Sequence, residues 1–279
     1  MKYFLALFCL TVSSSFAVPL VYNNSAWYSG LDPYLVGQRE NFMIQSVSVD
    51  AIKNSSGFTG EFQAILKFNF GGPAPTIGNI STISPYTFNS GGVVSEIHAA
   101  DLFFKQAGTL RYGIPLVDHG GPGLINGKSV GAGLFDDGDL YEIAIGTQVL
   151  TSNQFLTNGT NNSLFGAGRS VWLTSVSPNP PALQTGTTQI AFNGLCTDNN
   201  NGCPQAEYTV TFNLNGAPIV GSAWYQFLVG IATGTITPYF TGSACGNDLL
   251  DGAIPEPSTW MMLGTGLAFV VIRARQRRN

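Results

Sequence analysis

Charge is scarce in this chain: only 10% of its 279 residues are Asp, Glu, Lys or Arg. Between Val18 and Gly252, seven basic side chains (Arg39, Lys53, Lys67, Lys105, Arg111, Lys128 and Arg169) stand against fifteen acidic ones, a net charge of −8. That excludes a basic nucleic-acid face, which needs clustered Lys and Arg to displace counterions from phosphates. Two histidines, His98 and His119, and four cysteines leave little for a metal centre or for His-driven acid–base chemistry. No Gly-x-Ser-x-Gly elbow, His-Glu-x-x-His pair or phosphate loop occurs. Period-3.6 patterning is almost missing before the last few dozen residues, which excludes a helical bundle, and no repeat of fixed period is present. We expect no catalytic residue, no metal site and no cofactor.

What the chain has instead is Gly, Asn, Ser and Thr in abundance, with apolar residues alternating between them. At the front, Lys2 precedes an apolar run from Tyr3 to Val12, and Ser15-Phe16-Ala17 ends in a small-x-small pattern. This is the layout of a signal peptide over residues 1–17, cleaved after Ala17 for export through the Sec route. Cys9 leaves with it, because Phe8 stands where a lipid-attachment site needs a small residue.

The body, residues 18–241, reads as short strands. Val47 and Val49 alternate with Ser46 and Ser48, and Phe62, Ala64, Leu66, Phe68 and Phe70 alternate with Glu61, Gln63, Lys67 and Asn69. Val93 to Phe104 and Thr109 to Val117 make a hairpin across a Gly108 turn. Asp118 to Gly133 is glycine-rich and reads as a long loop, as does Thr151 to Arg169. Leu140 to Val149, Thr187 to Phe192, Ala206 to Leu214 and Ala223 to Ile231 read as further strands. Asn215-Gly216 reads as the turn of a hairpin from Leu214 to Ile219. Ser177-Pro178-Asn179-Pro180-Pro181 is the strongest break, yet too little follows it for a second core. The expectation is all-β: one antiparallel β-sandwich, jelly-roll-like, with residues 242–253 as a tether beyond it.

Three features could carry chemistry. Cys196 and Cys203 enclose a short polar loop, and export to an oxidising space predicts a disulfide between them, unless Cys245 competes for one partner. Asp136-Asp137-Gly138-Asp139 with Glu142 clusters carboxylates as a calcium loop does, but not at EF-hand spacing, and a Gly-Asp turn entering a strand is commonplace. Glu96 with His98, and Asp118 with His119, could each make a His–carboxylate pair; turn positions explain both more simply. Trp27, Tyr28, Trp172 and Trp224 would be stacking platforms for a glycan if exposed, and core residues if not.

The C-terminal residues 254–279 stand apart. Pro255-Glu256-Pro257 lacks the amide donors to carry a helix upstream. Fifteen uncharged residues, Ser258 to Ile272, follow, with Trp260 to Ile272 as the apolar span and Arg273, Arg275, Arg277 and Arg278 as a basic stop. A helix of that length reaches roughly 22 Å, short of a hydrocarbon core of about 30 Å. The arginines place the C-terminus in the cytoplasm by the positive-inside bias. Triplet, span and basic end in this order resemble the PEP-CTERM sorting signal of exosortase substrates. The resemblance implies insertion in the inner membrane for a time, recognition by an exosortase-type membrane protease near Pro255, Glu256 and Pro257, and then the cell surface or extracellular matrix. It also implies a link with exopolysaccharide and biofilm, while the want of any assembled nucleophile or metal set leads us to expect a non-enzymatic role. The alternative is a carbohydrate-binding β-sandwich module on the cell surface.

Overall fold

A computed structural model describes residues 19–23, 44–70, 75–84, 86–90, 93–125, 128–143, 147–151, 169–175, 181–195, 206–242 and 249–252. Every strand pairing among them is antiparallel. The larger sheet is built on β2 (Ile44–Asn54) and β3 (Gly57–Phe70), flanked by β1 (Leu20–Asn23), β15 (Ala206–Asn215), β14 (Gly186–Leu195) and β4 (Gly78–Ile80) in the order β1-β2-β3-β15-β14-β4. The strands after the proline-rich break therefore complete the first sheet. The alternation read in the sequence holds: Phe62, Ala64, Leu66, Phe68 and Phe70 are all buried, as are Tyr208, Val210, Phe212 and Leu214 opposite them on β15. The other face of this sheet carries uncharged amides that bond across strands, Gln63 Nε2 to Asn213 Oδ1 at 2.9 Å and Asn193 Nδ2 to Thr209 Oγ1 at 2.7 Å.

The second sheet runs β11-β8-β7-β16-β17, with β7 (Leu102–Gln106), β8 (Thr109–Ile114), β11 (Tyr141–Glu142), β16 (Ile236–Phe240) and β17 (Leu250–Asp251). The hairpin expected across Gly108 is β7–β8, with Ala107 and Gly108 both at positive φ (49° and 79°). Residues of both sheets share one core. Phe62 of β3 meets Phe104 of β7 edge-on with ring centroids 5.9 Å apart, and Phe68 meets Phe240 of β16 at 5.3 Å.

Four sequence expectations need correction. Ala223 to Ile231 is not a strand but helix α1 (Ala223–Thr233). Ser222 caps it, its Oγ accepting from Tyr225 N at 3.1 Å, and Gly234 ends it in the left-handed conformation at φ 70°. Trp224, Phe227, Leu228 and Ile231 make a buried stripe at helical spacing. Phe227 packs on Phe62, Phe104 and Tyr112 at 5.1, 5.3 and 5.1 Å, so the helix sits on the core both sheets share. The tight contact of Gly230 with Ile236 explains that glycine: a Cβ there would lie 2.3 Å from the Ile236 side chain.

Asn215-Gly216 makes no hairpin. The Gly216 amide donates to Gly60 O at 3.0 Å, and its carbonyl accepts from Trp224 Nε1 at 3.1 Å, so the chain turns off the sheet into α1. Asp118 to Gly133 is a hairpin rather than a loop, formed by β9 (His119–Ile125) and β10 (Lys128–Phe135). The two residues joining its strands are Asn126-Gly127. Smaller pairs, β5 (Tyr86–Ser90) with β6 (Val93–Ile97) and β12 (Thr147–Thr151) with β13 (Ser170–Ser175), complete the listing of strands among the described residues. The run expected from Val93 to Phe104 thus breaks into β6 and β7 around His98–Asp101.

Candidate functional site

His119 opens β9 and meets a carboxylate, but not its sequence neighbour. Its Nε2 lies 3.0 and 3.2 Å from the two oxygens of Asp101, and both side chains have no solvent exposure. Asp101 is held by β13 on two sides: its amide donates to Val171 O at 3.0 Å, and its Oδ2 accepts from Leu173 N at 2.6 Å. Trp172 lies between the histidines, 4.4 Å from the His119 ring and 5.5 Å from that of His98, and is itself buried. An acceptor on Nε2 fixes the His119 proton there, which leaves Nδ1 without a hydrogen-bond partner among the described residues. Histidine oriented by aspartate is half of an acid–base apparatus. Both side chains are closed off from solvent, and the pair joins β9, β13 and the start of β7 as a buried clamp.

Asp118 turns the other way, its Oδ1 accepting from Asp137 N at 2.7 Å. Around it lies the acidic turn singled out in the sequence. Asp139 Oδ1 accepts from Gly186 N at 2.8 Å, and the Asp136 amide donates to Tyr141 Oη at 3.0 Å. Gly138 is required here, at φ 84° and with Thr188 so close that a Cβ would lie 2.7 Å from its hydroxyl oxygen. Burial raises the Asp137 carboxyl above its ordinary value, helped by its hydrogen bond with Asp118, and burial raises Asp139 likewise. Tyr141 is pushed up to about 12 by burial, with the field of Asp139, Asp136 and Asp118 adding to it. Glu142 is drawn off to Arg111 at 2.8 Å. Among the described residues no three His, Cys, Asp or Glu side chains come together to hold a metal ion. The turn staples β14 to the second sheet through backbone amides.

Of the aromatics considered as glycan platforms, Trp172 and Trp224 are 1% and 4% exposed and belong to the core. Trp27 and Tyr28 lie outside the described residues, as do the signal peptide 1–17, Cys196, Cys203 and Cys245, and the whole tail from Ala253. Among the described residues no helix is long and apolar enough to cross a membrane; the span expected at Trp260 to Ile272 falls among the others.

Where the described chain ends, it is fixed. Residues 249–252 fall in the range read as a tether, and β17 pairs Leu250 with Phe240 and Asp251 with Tyr239. Leu250 is buried, Asp251 takes an ion pair from Lys105 at 2.5 Å, and the Gly252 amide donates to Pro238 O at 2.9 Å. Gly252 is wedged so that a Cβ would lie 3.0 Å from both Pro238 and the ring of Tyr22. An open groove of about 560 Å³, lined by Lys105, Gly108, Thr235, Thr237 and Gly252, borders this exit.

The next residue begins a segment that matches a known family model. Residues 253–278 match the PEP-CTERM protein-sorting motif, covering Pro255, Glu256, Pro257, the apolar span and the arginines. Neither a curated protein nor a solved structure matches the chain. The tail is thus a PEP-CTERM signal, and it marks an exported protein sorted by an exosortase, a membrane protein.

Proposed function

We propose that this is a non-enzymatic protein of the cell surface or extracellular matrix, freed from the inner membrane by exosortase cleavage near Pro255-Glu256-Pro257 and held among exopolysaccharide, as in a biofilm. The sorting motif at residues 253–278 carries the reading. Export runs through Sec, with the C-terminus cytoplasmic until the tail is removed. The body consists of two sheets read as a sandwich, opened on one side to admit α1. Cys196 and Cys203 are bridged once it reaches an oxidising space.

Two properties of the body support this reading. Its only two histidines are engaged with Trp172, and the one that meets a carboxylate is sealed from solvent. The outward face of the larger sheet presents mostly neutral amide and hydroxyl groups, among them Gln63, Asn193, Thr209 and Asn213, with Glu61, Lys67 and Glu207 set between them. Such a surface stays hydrated without a strong field, which suits contact with a polysaccharide gel. The alternative of a glycan-binding module built on aromatic platforms loses Trp172 and Trp224 to the core.

Replacing Pro255, Glu256 and Pro257 with alanine tests the reading. The full-length form is expected to collect in the inner membrane while export of the body proceeds. Unchanged delivery of the variant to the surface would refute it.

A further inference from the structure

The sorting triplet begins almost where the folded body ends. Only Ala253 and Ile254 separate Gly252 from Pro255. At ~3.5 Å per residue, Pro255 can lie no more than about 10 Å from the wedged Gly252. A protease takes an extended segment into its cleft, satisfying backbone donors and acceptors as an added strand would. With β17 in place, those of Leu250 and Asp251 that face β16 are already used. Two residues of lead leave little slack between the paired strand and the triplet that the protease must engage.

From these observations we propose that the form the exosortase cleaves is the chain with β17 peeled from the sheet edge, so that this strand is a latch on sorting. The inference rests on the sorting function proposed above. The hold is short: two strand pairings, the Gly252 amide on Pro238 O, the Leu250 side chain and the Lys105–Asp251 pair. Short edge strands open locally at far less cost than the whole domain. Upstream of β17 the described chain resumes at Gly242, whose carbonyl accepts from Ala100 N at 3.3 Å. Release of β17 adds residues 249–252 to Ala253 and Ile254, so the lead before Pro255 grows from two residues to six, or roughly 20 Å of extended chain. β16 keeps its pairing with β7 throughout, so the body stays folded while its end is processed.

A cross-strand disulfide tests the latch, since Tyr239 and Asp251 are direct partners in the ladder. The full-length double variant Tyr239→Cys, Asp251→Cys is produced in cells that carry an exosortase. Conversion to the shortened form is followed by pulse–chase, and bridging is read by thiol labelling. The matched Tyr239→Ser, Asp251→Ser variant controls for loss of the two native side chains. The latch predicts at least about tenfold slower processing of the bridged form, with the serine variant converted at least as fast as the native chain. It also predicts that Lys105→Ala, which removes the ion pair, speeds conversion by about twofold. Processing of the bridged form at the serine variant's rate would overturn the latch. No shortening of the native chain would instead overturn the sorting reading beneath it.

Discussion

Strands β15 and β17 each join a sheet by antiparallel pairing, and they differ in almost everything that makes a strand permanent. β15 pairs with β3 along its full length, from Ala206 against Phe70 to Asn215 against Glu61, and takes β14 on its other side. Its inward residues Tyr208, Val210, Phe212 and Leu214 are at most 1% exposed. β17 pairs through two residues, buries one of them, and has no strand beyond it. The difference shows that stability is not spread evenly over this molecule. The body is joined to its sorting signal through a lightly secured strand.

The largest effect belongs to the secured side. Phe227→Ala removes a ring packed on Phe62, Phe104 and Tyr112 and is expected to cost about 3–5 kcal/mol in urea unfolding. A loss below about 1 kcal/mol would mean that α1 is not part of the shared core. Next comes the buried clamp. Asp101→Leu leaves the Leu173 amide and His119 without their acceptor and should cost about 3 kcal/mol, whereas Asp101→Asn, which keeps an acceptor, should cost less. Equal losses for the two would show that the hydrogen bonds are not what Asp101 contributes.

Leu250→Ala sharpens the comparison from the weak side. A buried leucine usually costs about 2–5 kcal/mol when cut to alanine. Here the loss is capped by the cost of opening β17, so we expect about 1–2 kcal/mol, with the Gly252 amide exchanging its hydrogen faster than those of β15. A full-sized loss with no gain in local exchange would place β17 among the secured strands.

The smallest effect is electrostatic. Burial and Asp118 hold the Asp137 carboxyl above its unfolded value. The folded state therefore binds that proton more tightly than the unfolded chain. Its contribution is whole below the unfolded value of about 4 and is lost as pH rises through the raised folded value. At neutral pH the ionised group is a small net cost, so Asp137→Asn should stabilise by less than about 1 kcal/mol there, and not at all below about pH 4. A gain that persists at low pH would assign it to packing instead.

How far the sequence spoke depended on whether a signal was local. The Phe62–Phe70 alternation was legible because one face of β3 is core and the other is not. Trp224, Phe227, Leu228 and Ile231 carry a helical spacing just as plain, behind a Ser222 cap, yet aromatic and β-branched residues argued for a strand. The two Asn-Gly pairs show the limit best. Asn126-Gly127 lies between the paired Ile125 and Lys128, while Asn215-Gly216 ends β15 because Gly60 and Trp224 capture its backbone. One local difference separates them: Pro218, two residues past Gly216, lacks the amide a returning strand would need, whereas Lys128-Ser129-Val130 follows Gly127. The His119–Asp101 pair was hidden: Asp118 is the neighbour in sequence, but β13 carries Asp101 to the imidazole. The tail was legible because its signal is read as sequence, with no partner elsewhere in the chain required.

Intact mass of the surface form, isolated from cells that carry an exosortase, tests the account most directly. The account predicts a chain that starts at Val18 and stops near Pro255 to Pro257, with β17 retained. A mass that still includes Trp260 to Asn279 would contradict it and make the tail a simple anchor.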